Sequence, residues 1–183
     1  MTSEEIKRTW NEAAQRFYRP TPEEFEIMYR EKKETALERL AERYRRFSRM
    51  GLLMIVMWIL FSLSHVFTVG GPLKWIICAL MIVYFALCSC IDHWLYKGVS
   101  SIDCFTMTVS EVASKALYYR KKHLQSMILL IPFAFLAVGL LAYSFKAEPF
   151  MIYGILAGML VGVALGYNQF RRFMKEYSIV AND

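Results

Sequence analysis

Four apolar stretches without a formal charge recur along the chain, separated by short polar interruptions or by segments dense in Lys and Arg. Without Asp, Glu, Lys or Arg, 24 residues lie between Arg49 and Lys74, 17 between Lys74 and Asp92, 22 between His123 and Lys146, and 22 between Glu148 and Arg171. A helix needs about 20 apolar residues to cross the hydrocarbon core, so three stretches suffice as they stand. The second reaches 22 residues if it runs from Trp75 to Tyr96, with aromatic side chains at both ends, where membrane interfaces favour them. Lipid offers no partner to backbone amides, and no stretch alternates as a barrel strand would, so each predicts a transmembrane helix. The expected fold is an all-α integral membrane protein with four transmembrane helices and an N-terminal helical segment. It divides into a cytoplasmic segment over 1–49, a four-span bundle over 50–170 and a tail over 171–183.

The segment before the first span reads as two helices. Thr2 and Glu5 fit a capping box, and Ile6, Trp10, Ala13, Ala14 and Phe17 follow at helical spacing. The run from Arg19 to Pro22 breaks this helix. Thr21 as N-cap, Pro22 at the first helical position and Glu24 restart one that continues through Leu37, Leu40 and Tyr44 into the first span. Between the second and third spans, Val109, Val112, Ala113, Ala116 and Leu117 line one face of an amphipathic helix at about 106–123, capped by Thr108 or Ser110. Its apolar face suits either the membrane surface or the N-terminal helices.

Composition agrees with the membrane reading: 56% hydrophobic residues coexist with a net charge of +6. A soluble enzyme, a disordered chain and a disulfide scaffold are excluded. Of 22 basic residues, 12 precede Gly51, five lie between Lys97 and Lys122 and three follow Phe170, leaving only Lys74 and Lys146 for the other two loops. The positive-inside rule then places both termini in the cytoplasm. The first apolar run begins behind a long charged segment, unlike a cleaved signal peptide. Arg43, Arg45, Arg46 and Arg49 stand just before the first span, where they would attract anionic headgroups. Acidic residues share their segment and no binding-module pattern accompanies them, so no direct nucleic-acid contact is expected.

Candidate chemistry is sparse. Cys88, Cys90, Asp92 and His93 cluster in sequence, but residues 88 and 90 point about 200° apart on a helix, so structural thiols are the better reading than a metal site. Asp92, about one turn from the end of its span, is expected to reach headgroups or the neighbouring basic residues. Gly154, Gly158, Gly162 and Gly166 repeat every four residues in the fourth span, a pattern that lets another backbone approach closely. The partner is either the third span, through Ala134, Ala137 and Ala142, or a second copy in a homo-oligomer; packing within the chain is favoured. No catalytic constellation, nucleotide fingerprint or cofactor motif is present, and no enzymatic activity is expected.

The stretches Thr35 to Ile55, TALERLAERYRRFSRMGLLMI, and Met107 to Gln125, MTVSEVASKALYYRKKHLQ, resemble a family of uncharacterised inner-membrane proteins of Bacteroidota, with likeness over nearly the whole chain. Such proteins are often encoded near extracytoplasmic-function sigma factors. The resemblance therefore implies a bacterial inner-membrane, anti-sigma-like regulator, although the His-x-x-x-Cys-x-x-Cys of many anti-sigma domains is absent. The first expectation is a regulatory or scaffolding protein whose Trp10, Phe17, Leu37 and Leu40 bind a cytoplasmic protein partner. The alternative is a small transporter or channel subunit that oligomerises through the fourth-span glycines.

Overall fold

The computed structural model describes Glu4, Lys7 and residues 21–63, 72–145 and 149–181. Among them the chain is all-helical: α1 spans Pro22–Leu63, α2 Pro72–Ser100, α3 Val109–Ser144 and α4 Pro149–Ala181. All four are long and apolar enough to cross a membrane, so the four-span expectation stands. Trp10 and Phe17 lie outside the described residues.

The helix starts follow their local chemistry. Glu24 N–H donates to Thr21 Oγ1 (3.3 Å) while Thr21 N–H donates to Glu24 Oε2 (2.9 Å). Thr108 and Glu111 repeat this reciprocal box at the start of α3, which makes Thr108, not Ser110, the cap. Each box satisfies backbone donors that the first helical turn leaves open.

Helices α1 and α3 run one way, α2 and α4 the other. Each packs on two neighbours in the order α1, α2, α3, α4 and back to α1, and neither diagonal pair of backbones touches. Helix α1 has 42 residues, and residues 22–49 alone account for about 42 Å of it. The bundle thus extends well beyond its apolar section at the end where most Lys and Arg gather, here called the basic end.

The main core lies at that basic end. Leu37, Leu40 and Tyr44 of α1 pack with Leu95 and Val99 of α2, Val112 and Ala116 of α3, and Phe173, Tyr177 and Val180 of α4. Leu40, Tyr44, Leu95, Val99, Ala116, Tyr177 and Val180 are fully buried. This corrects the expectation that Leu37 and Leu40 face a partner: the same chain covers them. The amphipathic start of α3 turns Val112 and Ala116 into this same core. Arg30 closes the tip by donating from Nη1 to the carbonyls of Cys104 (3.1 Å) and Phe105 (3.3 Å) in the α2–α3 loop.

A second, smaller core closes the opposite end, where Ile77, Cys78 and Phe145 are buried and Trp58, Leu141 and Ile155 pack against them. Packing between the two cores is thin. In the most apolar stretch of α4 no residue is buried, against 17% in each of α1 and α2.

Candidate functional site

The midsection between the two cores contains the most unusual arrangement in the molecule. On α2, Ile77 belongs to the outer core and Leu95 and Val99 to the basic-end core, so these residues mark the face turned into the bundle. Residues 77, 84, 88, 92, 95 and 99 stay within about 80° of one another at 100° per residue. Tyr84, Cys88 and Asp92 therefore face the interior between the two cores. Their spacing of four was visible in the sequence, but its alignment with Leu95 and Val99 was not.

Asp92 is half-buried and makes no hydrogen bond or ion pair among the described residues. It does not reach the neighbouring basic residues, as the sequence reading expected. Its carboxyl instead has a minor influence on Tyr44 of the neighbouring α1. The Tyr44 hydroxyl is raised above its usual range by burial, then by Tyr177, and further by Asp92.

The opposite wall comes from α4. Phe173 and Tyr177 fix its inward face at the basic end, and Ile155 does so at the outer end. Gly162 and Gly166 fall within about 60° of the Tyr177 direction. Yet a Cβ built on either meets nothing within 4 Å, and the same holds for Gly154 and Gly158. Every residue from Val161 to Asn168 is exposed, so α4 stands clear of the bundle there while held at both ends. The inward glycines of this section are left uncovered, and on α2 the Tyr84 ring stacks on Phe133 of α3, 5.8 Å away. The glycine pattern thus does not serve close packing within the chain, contrary to the favoured reading. The four glycines also form no single straight face, because a spacing of four drifts about 40° per step, or about 120° from Gly154 to Gly166.

The layer of the basic-end core beside this section is polar and tightly built. The hydroxyls of Tyr44 and Tyr177 lie 3.0 Å apart. His123 is only 5% exposed and packs between the Tyr44 and Phe173 rings, 5.5 and 5.0 Å away, with neither ring nitrogen bonded. Arg43 Nη2 donates to Glu176 Oε1 at 3.4 Å, and its guanidinium lies 5.9 Å from the Phe173 ring centre. Arg43 is therefore an interior side chain, which corrects its assignment to the lipid headgroups. Arg45, Arg46 and Arg49 remain exposed, with Arg46 paired to Glu42.

On the side wall, Ser89 Oγ donates to the Ser48 carbonyl at 2.8 Å. Gly51 lets α1 approach, since a Cβ there would sit 3.0 Å from Ser89 Cβ. On the outer surface of α4, an open depression of about 530 Å³ is lined by residues including Asn168, Arg171, Arg172 and Lys175, with the charge to face anionic headgroups. No group of three or more His, Cys, Asp or Glu among the described residues is placed to hold a metal ion. Cys88 is half-buried and Cys90 exposed, so the two thiols diverge.

No protein family, curated protein or solved structure was found to match this chain.

Proposed function

We propose that this is a non-enzymatic regulatory or scaffolding protein of the bacterial inner membrane, with both termini in the cytoplasm, whose basic end receives a cytoplasmic protein partner. The charge distribution, 20 of 22 basic residues on one side, supports the orientation. The observation that carries the docking reading is the exposed apolar tip of an otherwise well-packed end. Phe25, Ile27 and Met28 on the first turns of α1 are 60%, 54% and 49% exposed, and Phe105, on the loop held by Arg30, is 54% exposed. Large apolar side chains gathered on an aqueous surface mark a protein contact. The sequence resemblance makes a sigma factor the partner class of choice.

The test is purification of the full chain from membranes in mild detergent, with its associated proteins identified. The expected result is a defined cytoplasmic protein that is lost on Phe25→Ser with Met28→Ser, while the variant melts like the parent. An identical set of proteins from both would overturn the reading. A reporter at Ser101 should register cytoplasm; a periplasmic signal there would overturn the orientation.

One observation favours the second reading, a small transporter or channel subunit: the inward carboxyl of Asp92 supplies the polar lining that a transport path needs. Against it, the Leu40 and Tyr177 layer and the Ile77 and Phe145 layer close the two ends of the bundle. That arrangement speaks against a conduit along the bundle axis.

A further inference from the structure

His123 stands where α3 meets α1 and α4 in the basic-end core, and its surroundings suit one protonation state alone. It is 5% exposed, it ends the amphipathic segment of α3 just before the third apolar stretch, and neither ring nitrogen finds a partner. Its neighbours are rings, Tyr44 of α1 at 5.5 Å between centroids and Phe173 of α4 at 5.0 Å. A neutral imidazole leaves one donor and one acceptor unmet there. An imidazolium would leave two charged donors unmet, at a far greater cost in a buried site. Burial accordingly pulls the His123 imidazole down to about 4.

The titratable and charged groups around it offer a proton no relief. On α4, Glu176 is engaged by Arg43 of α1, and the Tyr177 hydroxyl is paired with that of Tyr44. The Arg43 guanidinium lies against the same Phe173 ring, 5.9 Å from its centre, so an imidazolium would be a second positive charge beside the first. On α3 itself, Arg120 stands one turn back and Lys122 is next to His123 in the chain, both positive. On α2, Cys88 and Asp92 turn to the interior, yet neither bonds to His123. Aromatic rings attract a cation, but they supply none of the oxygen acceptors that both N–H groups of an imidazolium find in water.

We propose that His123 is a proton-operated latch on the basic end: neutral, it seals α3 against Tyr44 and Phe173, and protonated, it parts that contact while the outer core of Ile77, Cys78 and Phe145 stays closed. One core yields without the other because packing between them is thin, the condition for a local opening. A histidine held neutral in the closed form takes up its proton in the open form, where it recovers its ordinary value of about 6.5. Closure is therefore fully favoured above about pH 6.5 and weakens as pH falls through that value towards the closed-form value of about 4. Between about pH 7.5 and about pH 5.5 the open population rises about tenfold. The latch thus works across the range in which histidine serves as a switch.

Amide hydrogen exchange of the full chain in mild detergent, read over residues 112–123 and 173–180 and compared with 73–81, follows the two cores separately. His123→Phe and His123→Gln have no proton to gain and serve as references at each pH, which cancels the intrinsic pH dependence of exchange. Relative to them, the parent is expected to exchange about tenfold faster at the basic end at about pH 5.5 than at about pH 7.5, with no such rise over 73–81. Glu176→Gln should keep the rise. A ratio of parent to reference that stays flat with pH would overturn the proposal. So would an equal rise over 73–81, which would make the event an unfolding of the whole bundle, or a rise lost in Glu176→Gln, which would move the proton to that carboxylate. Should neither histidine variant fold, an NMR titration of the His123 ring protons in the parent decides. The ring is expected to stay neutral down to about pH 5, and titration at its ordinary value of about 6.5 would overturn the latch.

Discussion

The same four helices are packed in two different ways, tightly at the basic end and loosely through the middle of the apolar section, and the difference follows the solvent. At the basic end the apolar faces of all four helices meet, the arrangement that burial from water favours, and Leu40, Tyr44, Val112 and Ala116 are buried almost completely. In lipid there is no such force between helices, and association rests on close fit and polar contacts. The midsection of α4 supplies neither. Its inward positions are Gly162 and Gly166, at which even an added Cβ would meet nothing.

The largest expected effect tests this contrast directly. Leu40→Ala removes a fully buried side chain from the basic-end core and should cost about 2–5 kcal/mol. Leu160→Ala, at a position 69% exposed on α4, should change stability by no more than about 0.5 kcal/mol. Unfolding of both in mild detergent measures the difference. Equal losses would show that α4 is packed throughout its length.

Glycines sharpen the comparison, because the two regions use them in opposite ways. At Gly98 in the tight region, a Cβ would sit 2.2 Å from the Tyr119 ring, which itself packs against Trp94. Gly98→Ala therefore forces Tyr119 to move and should cost about 1–3 kcal/mol. Gly162→Ala meets nothing and should be neutral or slightly stabilising, since alanine favours helix by up to about 1 kcal/mol. Thermal melts of the two single variants decide. Gly158→Leu should likewise leave the monomer intact, so a shift in its size on gel filtration would place a second copy on that face.

The sequence made the spans and helix starts legible because both rest on local chemistry: runs without charge, and Thr21 with Glu24 or Thr108 with Glu111 at spacing three. It could not say what covers an apolar face. Leu37 and Leu40 look the same whether a partner or the rest of the bundle lies on them, and the start of α3 suits a membrane surface equally well. Arg43 stands among three exposed arginines and is separated from them only by Glu176, 133 positions away. The glycine stripe advertised close packing, but its direction depends on the phase set by Phe173 and Tyr177, and that phase aims Gly162 and Gly166 at a gap. Asp92 was misjudged for the same reason. Distance from the end of the span suggested an interfacial group, whereas alignment with Leu95 and Val99 turns it inward.

A smaller effect is expected in the polar layer of the basic-end core. Tyr177→Phe keeps the ring in the core and removes one member of the buried hydroxyl pair. The cost should be about 1 kcal/mol, the net value of a typical hydrogen bond, well below that of Leu40→Ala. A melt as low as that of Leu40→Ala would mean that the hydroxyl pair, and not apolar burial, holds the basic end together.

The smallest effect belongs to the loop that joins α2 to α3 at the tip. Asp103 is half-buried, and its carboxylate accepts from Phe105 N–H (2.8 Å), Thr106 Oγ1 (2.9 Å) and Thr106 N–H (3.3 Å). These bonds, the Phe105 amide foremost, hold its carboxyl below the usual carboxylate range. A carboxyl whose proton binds more weakly in the folded chain than in the unfolded one stabilises the fold above the unfolded value of about 3.9, and that contribution fades as pH falls through the folded value. Asp103→Asn should therefore melt slightly below the parent at neutral pH, and the gap should close on acidification below about pH 4. Melting curves of parent and variant across that range read the gap as a difference, which removes the acid sensitivity of the rest of the molecule. A gap that stayed constant with pH would trace the loss to side-chain shape instead of charge, and the loop would then be held by Arg30 and the buried Cys104 alone.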